Sequence, residues 1–184
     1  MRLFVALPIP QSVAQSIMLI QGGVPGARWQ TREQLHLTLR FIGETDGREA
    51  AMLDDALAAI EMSAFDLQLH GVGQFGHKQP HALWAALRKS EALEHLQRKV
   101  DAAIRRVGQP QDAYKFTPHV SVARLRNPEG GKLIEWLTHN ALFTSAEFRI
   151  GAFNLYSSRL TSDGSVYAVE REYLLEDNDA KIAD

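Results

Sequence analysis

Apolar positions recur along this chain with two different periods. Residues 2–9 form a short, nearly continuous apolar run, the pattern of a buried strand. Residues 11–21 place Val13, Ile17 and Ile20 at helical spacing, and a glycine- and proline-containing loop follows at 22–26. Residues 35–43 alternate as a strand, and 48–62 gather Leu53, Ala56, Leu57 and Ile60 on one helical face. Residues 65–75 and 81–88 read as a hairpin joined by a loop containing Gly76 and Pro80. Ser90 suits the cap of a helix running to Val107, with Leu93, Leu96, Val100 and Ile104 as its stripe. A strand near 119–125, a short helix at 132–140 and two strands at 148–157 and 165–175 complete the pattern.

Two strands share a tetrad of histidine, aliphatic, hydroxyl, aliphatic: His36-Leu37-Thr38-Leu39 and His119-Val120-Ser121-Val122. Alternation in a strand turns each imidazole and hydroxyl to one face and the aliphatics to the other. The tetrads lie 83 residues apart, and the same offset carries Phe65 to Phe148 and Trp84 to Tyr167. Each copy reads tetrad strand, helix, hairpin, and self-similarity at a fixed offset is the mark of a structural repeat. The expected fold is therefore α+β: two pseudo-twofold lobes, each an antiparallel sheet with helices outside, around a central cleft. One bilobal domain is expected over residues 1–175, with repeat halves near 35–88 and 119–175 and a polar tail at 176–184.

Composition narrows the function. The 184 residues are 45% hydrophobic, enough for one good core, and the formal net charge of −2 argues against a general polyanion binder. Any nucleic-acid contact should involve a few phosphates. The chain has no cysteine, which removes disulfides, thiolate metal sites and a cysteine nucleophile. No apolar run approaches the roughly 20 residues of a membrane span, so a cytoplasmic protein without membrane partners is expected, and a monomer.

Imidazole takes a proton when neutral and gives one when charged, and its pKa near 6.5 lets both forms coexist near neutrality. Two histidines flanking one phosphorus can activate water on one side and protonate the leaving oxygen on the other. Thr38 and Ser121 can donate to the non-bridging oxygens, where charge develops. This scheme requires neither metal nor cofactor. The residues leave the two histidines interchangeable as acid and base.

The segments His36-Leu-Thr-Leu-Arg-Phe-Ile-Gly-Glu44 and Phe116-Thr-Pro-His-Val-Ser-Val-Ala-Arg124 resemble the paired signatures of the 2H phosphoesterases. They resemble most closely the RNA 2′,3′-cyclic phosphodiesterases, also called 2′-5′ RNA ligase-like proteins. Residues 2–7 and the late Leu155-Tyr-Ser-Ser158 are similar to that family as well. The resemblance implies hydrolysis of 2′,3′-cyclic phosphate ends of RNA, or of small cyclic nucleotides, to 2′-phosphomonoesters. It makes His36 the proton donor and His119 the acceptor, with Thr38 and Ser121 on the phosphoryl oxygens. It also implies that reversal could join RNA ends. Cyclic ADP-ribose phosphate hydrolysis, RNA 3′-end trimming and a non-catalytic nucleotide-binding module are the alternatives.

Two positions depart from the family pattern. Ser121 replaces the commoner threonine, and Arg40 stands where a small residue is usual. Simple alternation puts Arg40 beside His36 and Thr38, as a candidate substrate contact, and puts Arg124 on the wrong parity unless the strand bends. Arg124 is nonetheless the stronger phosphate candidate, ahead of Lys115 and Arg126. Phe41 and Tyr156 are the candidates for stacking on a base. The G-x-G-x-x-G at 71–76 is read as a kinked hairpin, because no helix begins there, and His77 with His81 as loop residues rather than metal ligands.

Overall fold

The structure, a computed structural model, describes residues 1–112, 114–162 and 164–177. In chain order the elements are β1 (Arg2–Pro8), α1 (Gln11–Leu19), β2 (Ala27–Trp29), a 3-10 turn (Arg32–Gln34), β3 (His36–Glu44), α2 (Gly47–Ala58), β4 (Phe65–Leu67), β5 (Leu69–Phe75), β6 (Ala82–Leu87), α3 (Glu91–Arg106), β7 (His119–Leu125), α4 (Gly130–His139), β8 (Phe148–Ile150), β9 (Ala152–Thr161) and β10 (Gly164–Leu174). The main sheet runs β10-β9-β1-β3-β7-β6-β5, with β2 also paired to β7, and all the pairings are antiparallel. Among the described residues no helix is long and apolar enough to cross a membrane.

Helix ends follow local chemistry. Ser90 Oγ accepts from Leu93 N at 3.2 Å, as its cap position predicts. Asp46 and Glu49 form a reciprocal capping box that starts α2. That helix stops at Ala58, short of the expected Met62, because the chain beyond it is needed as a strand-like edge. Glu176 N donates to Met62 O at 2.9 Å, and Ala64 N donates to Glu176 O at 2.7 Å. Glu176, which the sequence reading put in a polar tail, is thus paired beside Ser63. Asp177, also expected in that tail, pairs with Arg149 at 3.3 Å, and 178–184 lie outside the described residues.

The 83-residue offset is a true local symmetry. Between β3 and β7 the registered pair is Leu37 opposite Val120, and in the small β4–β8 sheet the central pair is Asp66 opposite Arg149. In both pairs the two residues are 83 apart, and in an antiparallel pair only residues on a twofold axis meet their own equivalents. The axis therefore passes through both pairs. Each expected long strand also breaks at equivalent points, Gln68 and Gly151, sending β4 and β8 into the small sheet.

The repeat halves and the two arms of the sheet are not the same thing. β5 and β6 follow the first tetrad in sequence, yet β6 hydrogen-bonds to β7, the strand of the second tetrad. Conversely β9, from the second copy, pairs with β1, which pairs with β3. The chain is interlaced across the axis. The aliphatics Leu37, Leu39, Val120 and Val122 are almost wholly buried, in one core with the Leu93, Leu96, Val100 and Ile104 stripe of α3 and Leu53 and Leu57 of α2.

Alternation fails at an equivalent place in both tetrad strands, and at a second place, Ile42, in β3 alone. Opposite β1, Val5 pairs Arg40 while Ala6 pairs Thr38, so Leu39 is the extra residue of a bulge. Opposite β6, Leu83 pairs Ala123 while Trp84 pairs Ser121, so Val122 is extra. The bulges at Leu39 and Val122 occupy equivalent positions and flip the parity of the residues that directly follow, Arg40 and Phe41 on β3 and Ala123 and Arg124 on β7. Arg40 is consequently not beside His36 and Thr38, and the expectation of a substrate contact is overturned. It is 6% exposed and points to the helical side. There Nε binds Asp101 at 3.0 Å, Nη1 binds Asp112 at 3.1 Å and the Phe41 carbonyl at 3.0 Å, and Nη2 donates to the Pro110 carbonyl.

Arg40 thereby ties β3 to α3 and to the segment that leads into β7. Replacing it with leucine leaves Asp101 with only Arg105 as cationic partner among the described residues and frees the 110–112 segment. Arg40→Leu is expected to lose about 3 kcal/mol of stability, measured by urea denaturation, with Arg40→Lys losing clearly less.

Candidate active site

The antiparallel sense of the Leu37–Val120 pair sets His36 on the side of Ser121 and Thr38 on the side of His119. The four polar side chains of the tetrads are half-buried and share the face opposite the aliphatic core. β3 and β7 register at that one pair among the described residues, so they splay apart from it. The groove between the two arms opens there, with one histidine from each strand.

Both imidazoles are oriented by the same device. His36 Nδ1 donates to the carbonyl of Gln34 at 2.7 Å, and His119 Nδ1 donates to the carbonyl of Thr117 at 2.7 Å. A carbonyl oxygen can only accept, so the proton sits on Nδ1 in each ring. Nε2 is left as the atom that takes or gives a proton. Gln34 and Thr117 are themselves 83 residues apart, so the orienting bond belongs to the repeat.

Aromatic walls surround each ring. Phe4 lies 4.9 Å from His36, stacks on Tyr156 at 5.1 Å and 11°, and meets Phe41 at 6.0 Å. Tyr167 stands edge-on to His36 at 5.0 Å. Phe75 stands edge-on to His119 at 4.8 Å, with Trp84 at 6.3 Å. Gly73 is required beside that wall, since a Cβ there would collide with the indole ring of Trp84. Phe41, 61% exposed, and Tyr156, whose hydroxyl accepts from Asn154 Nδ2 at 3.2 Å, flank the His36 side of the groove.

Burial lowers the pKa of His36 to about 4, against the raising effect of the Gln34 carbonyl and with a further lowering from nearby His119. Burial also lowers that of His119, opposed by the Thr117 carbonyl. In the free protein both rings are held toward the neutral form. An anion in the groove would reverse this balance, because it stabilises imidazolium.

The bulge at Val122 brings Arg124 back to the face of His119 and Ser121. Its side chain is exposed, and in the sheet it lies opposite Arg28 of β2. Sequence alternation alone had put Arg124 on the other face. Phe4, Phe75 and Tyr167, which line the two imidazoles, are not marked as site residues by the sequence pattern. Only Tyr167 carried a signal, through its 83-residue relation to Trp84. The G-x-G-x-x-G glycines lie in or next to β5, and β6 follows them, with no helix to receive a pyrophosphate. Lys115 and Arg126 are exposed, and Arg126 opens the turn after β7.

The chain is similar to known proteins in both sequence and fold. A family model described as the 2′-5′ RNA ligase superfamily matches residues 10–161. The RNA 2′,3′-cyclic phosphodiesterase of Archaeoglobus fulgidus is 28% identical over 173 residues, covering 91% of this chain and 96% of its own. The protein of the same name from Thermotoga maritima is 29% identical over 179 residues, covering 92% of both chains. Among solved structures, TT0787 of Thermus thermophilus superposes with a TM-score of 0.81 at 25% identity, covering 97% of this chain and 100% of that one. E. coli LigT complexed with 3′-AMP shares the fold, with a TM-score of 0.75 at 23% identity and coverage of 95% and 97%.

The lowered pKa of His36 gives stability a definite pH dependence. Above pH 6.5 the ring is neutral in both folded and unfolded chains. As pH falls from 6.5 toward 4, the unfolded chain gains a proton that the folded one refuses, so stability declines across that window. Wild type should lose about 2–3 kcal/mol more than His36→Phe between pH 6.5 and 4.5. Urea unfolding of the two proteins across that range measures the difference.

Proposed function

The chain belongs to the 2′-5′ RNA ligase superfamily, and from that premise we propose that it hydrolyses RNA 2′,3′-cyclic phosphate ends to 2′-phosphomonoesters by paired histidine acid–base catalysis. The observation that carries this reading is the pair of imidazoles, one from each arm of the sheet. Each has Nδ1 fixed to a backbone carbonyl, which leaves Nε2 for proton transfer, and shares its sheet face with the tetrad hydroxyls. The names of the full-length relatives point to the same substrate class.

In the proposed step His119 Nε2 takes a proton from water as its oxygen attacks phosphorus. The bond from phosphorus to O3′ breaks, and His36 Nε2–H delivers its proton to O3′. The products are a 2′-phosphomonoester and a 3′-hydroxyl. Thr38 and Ser121 donate to the non-bridging oxygens, and Arg124 adds a positive charge at the end of β7. The donor and acceptor roles follow the family resemblance. His36 is the more deeply held in its neutral form, so as donor it takes up its proton together with the anionic substrate. Phe41 and Tyr156 offer faces for the terminal base. The same geometry run backward would join a cyclic end to a 5′-hydroxyl in 2′-5′ linkage. RNA ends or small cyclic nucleotides are the expected partners of a monomeric protein working without metal.

The test is incubation with 2′,3′-cyclic AMP and identification of the phosphate position in the product. Formation of 2′-AMP in EDTA supports the reading; a 3′-phosphate, or loss of turnover with chelator, overturns it. His36→Ala and His119→Ala should each reduce kcat by roughly 10²-fold or more. Binding without turnover would identify a nucleotide-binding module instead.

The pH profile follows from the same two rings. Since both pKa values are lowered from 6.5, kcat/KM, which reports the free enzyme, should peak below pH 6.5 and fall on either side. A profile flat from pH 5 to 8 would exclude the acid–base pair.

A further inference from the structure

Arg28 and Arg124 face each other across the β2–β7 pair, a cross-strand arrangement of like charges that is unfavourable by itself. Both are exposed, and neither forms an ion pair among the described residues. They line one small pocket with Gln30, Gln34, Gly164 and Ser165. Gly164 lets the arginine in: a Cβ there would lie 2.8 Å from Arg28 Nη2. Gln34 Nε2 donates to the Ser165 carbonyl at 2.9 Å and closes the far side. Arg28 is therefore aimed at the tip of the β9–β10 hairpin and not loose on the surface.

This pocket adjoins the catalytic groove on both sides. Gln34 is the residue whose carbonyl orients His36, and Arg124 follows Ser121 on the strand of His119. From Ser121 to Arg124 the strand advances about 10 Å. Because β6 occupies the other edge of β7, β2 lies on the same edge as β3, and Arg28 flanks Arg124 on the groove side of that strand. Two cations without acidic partners among the described residues thus stand side by side next to the expected phosphate site, an arrangement that invites a second phosphate. Guanidinium is also the side chain whose forked donors suit phosphate oxygens.

We propose that Arg28 binds the phosphodiester that precedes the terminal cyclic nucleotide, so that the enzyme favours oligonucleotide ends over cyclic mononucleotides. The inference rests on the proposed cyclic phosphodiesterase activity and names the part of the RNA that the same site reads. The pocket itself is narrow, and the phosphate sits at its mouth, on the guanidinium rim. Its charge offsets the repulsion between the two arginines that the free protein tolerates.

Three substrates separate the possibilities: 2′,3′-cyclic AMP, its 5′-phosphorylated form, and the dinucleotide ApA ending in a 2′,3′-cyclic phosphate. In wild type the dinucleotide should have the highest kcat/KM. Arg28→Gln should reduce kcat/KM for the dinucleotide by roughly 10-fold or more, through KM, while 2′,3′-cyclic AMP is turned over as before. Arg28→Lys should recover part of the loss. Equal effects on dinucleotide and mononucleotide, or no effect on either, overturn the inference. So does a loss confined to the 5′-phosphorylated mononucleotide, which would mark a terminal-phosphate site. Failure of wild type to hydrolyse 2′,3′-cyclic AMP would instead sink the activity on which the inference rests. Unchanged mononucleotide turnover also shows that the variant is folded.

Discussion

The antiparallel meeting of Leu37 with Val120 holds the two arms of the molecule together, and most of the site follows from it. These residues are equivalent under the 83-residue repeat, so the local twofold runs through their backbone pair. A pair on a twofold axis places whatever precedes it on one strand against whatever follows it on the other. Each histidine is thereby set toward the other tetrad's hydroxyl. Because the strands splay beyond this pair, the sheet can continue on both sides and still leave a groove at its centre. A longer β3–β7 ladder would fill that groove with backbone hydrogen bonds.

The two bulges work together with the axis. Without them, strict alternation would direct Arg40 into the groove and Arg124 to the helical side. With an extra residue at Leu39 and at Val122, the parity flips on both strands at equivalent points. Arg40 becomes a buried tie between β3, Asp101 and Asp112, and its place along the groove is taken by Phe41. On the other strand Arg124 comes forward. The symmetry is thus in the backbone, while the side chains on it differ: an aromatic on one arm, a cation on the other. A nucleotide end is asymmetric in the same sense, with a base on one side of its phosphate and a charged strand on the other.

Burial and orientation of the histidines are coupled. The aromatic walls that exclude water from His36 and His119 also lower their affinity for protons, and each Nδ1 bond to a carbonyl partly offsets that. The free site is consequently two neutral imidazoles in an apolar surround, short of charge. An anion placed between them would favour protonation. This arrangement costs stability in acid and is kept where it can act on substrate.

Sequence alone determined most of the helices, the approximate course of the longer strands and the chemistry of the tetrads, but not β2 or the breaks at Gln68 and Gly151. The period of apolar residues, the Ser90 cap and the repeat offset depend on local sterics and on burial of one face, which nearby residues largely decide. The pairing of His36 with Thr38 and of His119 with Ser121 needed only strand alternation. Tertiary structure decided the rest. The position of Arg40 and Arg124 depended on bulges, and a bulge is set by how one strand registers against another far away in the chain. Phe4, Tyr167 and Phe75 reach the histidines, and Arg28 comes to face Arg124, through pairings such as β1 with β3 and β2 with β7, which no local pattern encodes. The interlacing of the two repeat copies was likewise hidden, since partner choice between β6 and β7 is settled by the shared core and not by either strand's own sequence.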